Sequence, residues 1–181
     1  MKRFIPLLIL FFPIFLFSQD CKYQKNEIDK FTGQREKLTK SKAVLTGLTK
    51  HVDFSVYQFN DTATYLMMHW QTATTRDKRD RSISIDAGKN IYLLLQNDEV
   101  VKLTCVRYAE SSILQVSRSY FCDLSMVSYR LTKEQAITLM KHSVQSIRID
   151  YTGFSNRDQK QEYDIKSKRS GNIKKVLACI F

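Results

Sequence analysis

From residue 53 onward the chain is written in short segments whose apolar residues recur at every second position, and that rhythm narrows the fold more than any other feature. DFSVYQF (53–59) alternates, Asn60-Asp61 is a turn signal, and TATYLMMHW (62–70) follows. Together they predict a β-hairpin. NIYLLLQ (90–96) is apolar on both faces, as expected of a central strand buried on two sides. Asn97-Asp98 then turns it into EVVKLTCV (99–106), where Val101, Leu103 and Cys105 share a face. ILQVSRSYFCDL (113–124) reads as one strand with a core side of Leu114, Val116, Tyr120, Cys122 and Leu124. It is expected to pair with 101–106 across the polar link from Tyr108 to Ser112.

The period then changes. Thr132 and Gln135 have capping-box spacing, and Ala136, Ile137, Leu139 and Met140 form a stripe, so 133–142 is expected to be a short helix. SVQSIRIDYTG (143–153) predicts a strand, with QEYDIKS (161–167) as its partner. In the closing SGNIKKVLACIF, Ile173, Val176, Leu177 and Ile180 recur at helical spacing, with Ser170 as the cap. Many strands, two short helices and no strict alternation of the two point to a β-rich α+β domain built as a mainly antiparallel sheet or sandwich.

The N-terminus carries a different message. Lys2 and Arg3 precede the fourteen uncharged residues Phe4 to Phe17, and Ser18 supplies a small residue for cleavage. These are the three parts of a secretory signal peptide, assigned to residues 1–18. The run is too short for a membrane span and contains Pro6 and Pro13. Asp20 stands where a lipoprotein signal wants a small residue before Cys21, so Cys21 reads as a disulfide partner and not as a lipid anchor. Residues 19–181 then form a single domain, periplasmic or secreted, with no further membrane span.

An exported chain with an even number of cysteines permits disulfides among Cys21, Cys105, Cys122 and Cys179. Under the hairpin predicted above, Cys105 and Cys122 stand roughly 23 Å apart along the strands, well beyond disulfide reach. The four cysteines allow three full pairings, and Cys21 with Cys179, which ties the two ends together, is one candidate pair.

Without the signal the chain holds 27 basic and 18 acidic residues, a net charge of +9. The basic residues are scattered and mostly interleaved with acids, the pattern of a solvated surface. The candidate anion-binding groups are Arg76, Lys78, Arg79 and Arg81 in one cluster and Lys166, Lys168 and Arg169 in another. His51, His69 and His142 match no metal motif, no Ser lies in GxSxG, and no glycine-rich phosphate loop occurs. No catalytic residue, metal ligand or cofactor is assigned from these motifs.

The phenylalanine-rich signal ending FSQ, the opening DCKYQKNEIDKFTG, the capped helix leading into QSIRIDYTG, and the closing VLACI together resemble small exported proteins of Bacteroidetes that carry no assigned activity. The resemblance implies a periplasmic or secreted location and no transferable active site. The expectation is a non-catalytic exported protein acting through its surface in the cell envelope, its partner an envelope protein or an anionic surface and not nucleic acid. Two other readings are a binding module for anionic envelope lipid or polysaccharide, and a hydrolase whose site is assembled from distant residues. The first of these needs basic groups on one face; the second needs a concave pocket holding a histidine or a carboxylate pair.

Overall fold

In the computed structural model, which describes residues 21–75 and 82–181, Asn60 and Asp61 both take positive φ, 52° and 54°. That backbone suits the right-handed twist of the strands it joins. It connects β4 (Lys50–Phe59) to β5 (Ala63–Thr74) and sets Phe59 opposite Ala63. Val52, Phe54 and Val56 then fall with Leu66, Met68 and Trp70 on the buried face. The odd-numbered residues of both strands face the other way. The signal peptide assigned to residues 1–18 and the cluster at 76–81 lie outside the described residues.

On one side, β4 is flanked by β2 (Arg35–Thr39) and β3 (Lys42–Thr46), with β1 (Tyr23–Ile28) paired to β2. Beyond β5 come β11 (Ser119–Arg130) and then β10 (Ser112–Val116). All the pairings in this seven-stranded sheet are antiparallel. The second sheet orders β8 (Val100–Thr104), β7 (Asn90–Leu95), β12 (Val144–Thr152), β6 (Ser84–Ile85) and β9 (Ala109–Glu110), and β13 (Asp158–Asp164) also pairs with β12. It too is antiparallel.

The inner faces of the two sheets share one hydrophobic cluster, to which α1 (Lys133–Lys141) adds Ala136 and Leu139, and α3 (Asn172–Leu177) adds Ile173, Val176 and Leu177. The domain is thus β-rich and antiparallel, as the alternation predicts. Trp70 joins the sheets directly: its indole N–H donates to the Tyr163 hydroxyl at 2.9 Å, and its ring meets Tyr151 edge-on at 5.1 Å.

Three local expectations need correction. Residues 113–124 do not form one strand paired with 101–106. Ser117 takes φ of 60° and turns the chain back, so β10 and β11 pair with each other while β8 pairs with β7. Cys105 bridges to Tyr129, and Cys122 lies between Ile113 and Thr72. Both thiols are buried and free. The absence of a bridge between them was expected, but the hairpin used to argue it is not the one that forms.

The strand 90–96 is central in its sheet, yet Ile91, Leu93 and Leu95 alone are fully buried while Tyr92 and Leu94 are half-covered. One face is core and the other opens to a shallow groove. Finally, the C-terminal helix begins earlier than Ser170 and breaks in two. Ser170 ends α2 (Ser167–Ser170) with its hydroxyl donating to the Ser167 carbonyl, and α3 follows Gly171 without a side-chain cap. The capping box at Thr132 and Gln135 forms as predicted.

Cys21 and Cys179 are bridged, their Cα atoms 5.4 Å apart and 158 residues apart in sequence. Beside them the Tyr23 hydroxyl donates to the Cys179 carbonyl at 2.6 Å. Closing so long a loop restricts the unfolded chain by about 5 kcal/mol in the entropy model. The paired substitution of Cys21 and Cys179 by Ser is expected to lower unfolding free energy by about 2–5 kcal/mol with an unchanged far-ultraviolet spectrum. A loss below about 1 kcal/mol in a urea titration would mean that α3 packing and the Tyr23 bond hold this end alone. Tyr163→Phe leaves the Trp70 N–H buried without its partner and is expected to cost about 1–3 kcal/mol, read from the urea midpoint of Trp70 fluorescence.

Candidate functional site

Two surface regions gather chemistry. The first is on the solvent face of the larger sheet, where β4, β5 and β11 run side by side. The register pairs Asp53 with His69 and places His51, Gln71 and Asp123 in one cross-strand row. His51 Nε2 lies 2.9 Å from Asp53 Oδ2, and His69 Nδ1 lies 3.1 Å from the same oxygen. His69 Nε2 meets Asp123 Oδ1 on its other side. The Ser125 hydroxyl donates to the second Asp123 oxygen at 3.2 Å. The result is a chain, His51–Asp53–His69–Asp123, spanning three strands.

Its carboxylates are far better covered than its rings: Asp53 and Asp123 side chains are 14% and 15% exposed, against 31% and 33% for His51 and His69. Burial alone would push the Asp53 carboxyl up, but hydrogen bonds from His69 and His51 outweigh it and hold the group below the usual carboxylate range. For His69 the bond to Asp53 is the main cause; with Asp123 on its other nitrogen it overcomes partial burial and raises the pKa to about 9. An imidazole with a carboxylate at each nitrogen donates to both only when protonated. His51, Asp53 and His69 are also a donor set that could hold a metal ion, their ligand atoms lying within 4.8 Å of one another.

Next along the same face is a groove of about 380 Å³ lined by Tyr57, Tyr65, Met67, Val106, Arg107 and Met126, together with Ser128. Tyr57 and Tyr65 stack with centroids 6.2 Å apart. A bulge between Leu124 and Val127 sets Met126 at φ of 61° and swings its side chain outward.

The second region is the disulfide end. A cleft of about 220 Å³ is lined by Lys22, Thr39, Lys40, Lys42, Lys175, Val176 and Cys179. Four lysines thus surround it, with no acidic side chain among the described residues of its lining. The predicted group Lys166, Lys168 and Arg169 lies nearby along the same strand: α2 packs on β3, and Arg169 donates to the Thr46 hydroxyl at the far end of β3 from Lys42. The span of β3 is about 13 Å. Lys166 and Lys168 are exposed. Of the predicted site residues, Arg76, Lys78, Arg79 and Arg81 lie outside the described residues. Cys105 and Cys122 are unsuited to nucleophilic work, since burial raises both thiols. His142 ends α1 as its C-cap and takes no part in the histidine chain.

The chain matches no family model, no curated protein and no solved structure.

The sequence puts His69 on an alternating strand of the first hairpin but does not single out Asp53, Asp123 or the four cleft lysines. The missing signal for Asp53 was loop length. A hairpin closing Phe59 on Ala63 puts Asp53 opposite His69, whereas a loop one residue shorter puts Met68 there. The lysines are scattered in sequence and meet where α3 packs on β3 and the Cys21–Cys179 bridge brings the N-terminal strand alongside.

His69 sets the sign of an alkaline effect. Its folded pKa lies above its ordinary value near 6.5, so its contribution to stability is complete below about pH 6.5 and is lost as pH rises through about 9. With chelator present, the melting temperature is expected to fall more steeply between pH 7 and 10 in the native chain than in His69→Gln. Parallel slopes would show that the ring does not carry this proton.

Proposed function

We propose that the protein is an exported, non-catalytic binding module that holds phosphate groups of the cell envelope in the lysine-lined cleft at its disulfide end. The observation that carries this reading is the convergence of Lys22, Lys40, Lys42 and Lys175 on one cleft of about 220 Å³. Ammonium groups are compact charges with rotatable donors and serve phosphate oxygens well. At about 220 Å³ the cleft has room for a headgroup phosphate. Lys166, Lys168 and Arg169 add basic charge at the Thr46 end of β3.

Export is supported by the signal-like residues 1–18 and by the disulfide, which persists in oxidising compartments. The net charge of +9 adds a long-range attraction to anionic surfaces. The non-catalytic reading is supported by the raised thiols of Cys105 and Cys122, which are poor nucleophiles.

The test is co-sedimentation of residues 19–181 with phosphatidylglycerol vesicles, with phosphatidylcholine vesicles as the control, and in parallel dialysis against inorganic phosphate and polyphosphate. The Lys40→Glu/Lys42→Glu variant is expected to lose at least about tenfold in binding, and added salt to weaken the native chain steeply. Lys102→Glu/Lys160→Glu has the same net charge and is expected to lose far less. Equal losses would assign the binding to diffuse charge and overturn the reading. Retention on vesicles without binding of the soluble anions identifies lipid headgroups as the source; binding of both identifies phosphate itself.

A further inference from the structure

The histidine chain shares no residue with the lysine cleft. We propose that His51 Nε2, Asp53 Oδ2 and His69 Nδ1 bind one divalent first-row transition cation, zinc being the reference ion, with Asp123 as the carboxylate that orients His69 from behind.

Spacing is the first argument. Zinc bonds to imidazole nitrogen and carboxylate oxygen are about 2.0–2.1 Å long, which sets ligand atoms about 3.3 Å apart around a tetrahedron and about 2.9 Å apart on an octahedral face. Here the two edges of the triangle that meet at Asp53 Oδ2 are 2.9 and 3.1 Å. The third edge, between the two ring nitrogens, lies within 4.8 Å, so side-chain rotation that brings the rings together around the ion, with release of the His69 Nδ1 proton, completes the site.

Convergence is the second. A simple ion chain needs one imidazole between two carboxylates, and Asp53, His69 and Asp123 already satisfy it. His51 is surplus to that arrangement, yet its ring nitrogen is aimed at the same Asp53 oxygen, and the two rings stand 5.7 Å apart at a tilt of 54°. Two nitrogens gathered on one carboxylate oxygen, all three atoms within 4.8 Å of one another, describe a ligand set. Asp123 on His69 Nε2 then completes the carboxylate–histidine–metal arrangement that fixes ring orientation and raises ligand basicity. Ser125 holds Asp123 in turn. Two carboxylates also match the charge of one dication.

The donor types select the class of ion. Calcium and magnesium take six or more oxygen ligands, whereas imidazole with one carboxylate suits zinc and its transition-metal neighbours. Each ring is about one-third exposed, so solvent reaches the site and the remaining coordination positions lie open to water or to a small ligand. All four residues stand on paired strands, which keeps the set rigid.

The experiment uses tag-free residues 19–181, freed of metal with a chelator and dialysed, then titrated with zinc by calorimetry against a competing chelator. One zinc per chain with micromolar or tighter affinity is expected, and calcium is expected not to bind. His51→Ala, whose ring lies at the outer end of the chain, is expected to weaken zinc at least about 100-fold. Its far-ultraviolet spectrum and Trp70 fluorescence confirm that it is folded. Asp123→Asn is expected to cost about 10–100-fold while keeping one site, and to shift the visible absorption of the cobalt(II) form. A merely structural role would leave that band in place. Absence of zinc binding, equal affinity for calcium, or undiminished binding in folded His51→Ala would each overturn the proposal. Unchanged zinc affinity in Lys40→Glu/Lys42→Glu is expected, so the loss of phosphate binding and the loss of zinc binding are separable results.

Discussion

The register between β4 and β5 is the constraint from which the larger sheet follows. It is set at the Asn60-Asp61 turn, where two consecutive positive φ values bring Phe59 opposite Ala63. Asn and Asp tolerate that backbone better than most residues. Ten residue pairs then align, from Lys50 with Thr72 to Phe59 with Ala63. Every apolar side chain from Val52 to Trp70 that belongs in the core is delivered to it by this alignment. β11 docks on β5 and extends the same alternation until the bulge after Leu124 shifts it. The second sheet meets this surface through Trp70, whose hydrogen bond to Tyr163 ties β5 to β13.

The chain ends are governed by a different constraint. β1 is mostly exposed, and its pairing to β2 offers little apolar burial. A strand of that kind frays unless something holds it. The Cys21–Cys179 bridge and the Tyr23 hydroxyl attach it to the segment after α3, which is itself anchored by Ile173, Val176 and Leu177 in the core. Stability thus passes from the core through α3 to the edge strand. The lysine cleft lies on this junction, so its shape is tied to the disulfide and not to any one strand.

Sheet content, the β4–β5 hairpin, the β7–β8 turn at Asn97-Asp98, the cap at Thr132 and the Cys21–Cys179 pairing were legible because each is written locally or follows from spacing and compartment. The β10–β11 hairpin was not. Its turn at Ser117-Arg118 has no glycine, proline or asparagine, and the apolar alternation continues across it. Pairing order between non-adjacent segments, such as β11 against β5 or β12 between β7 and β13, is decided by burial over the whole core and leaves no local mark. The site residues were hidden for the same reason. His51 lay outside the predicted strand, Asp123 looked like one polar residue among several, and neither acquires meaning until β4, β5 and β11 are in register.

That dependence also runs in the other direction, because the histidine chain constrains the register that creates it. If β5 slipped by one residue against β4, Met68 would face Asp53, and every side chain of β5 would exchange faces. His69 would turn into the core without a carboxylate, Trp70 would turn to solvent and lose Tyr163, and Asp53 would remain largely covered with no partner on β5. Burying an unpaired charge or imidazole costs more than losing a surface ion pair gains. The correct register loses none of these partners. A polar chain of modest value in the native sheet therefore carries a larger penalty in the nearest alternative, and the outer face specifies the alignment together with the hydrophobic face beneath it. An arrangement kept for that reason alone needs Asp53, His69 and Asp123. It gives no account of the second ring nitrogen, from His51, aimed at the same oxygen, and a bound cation does.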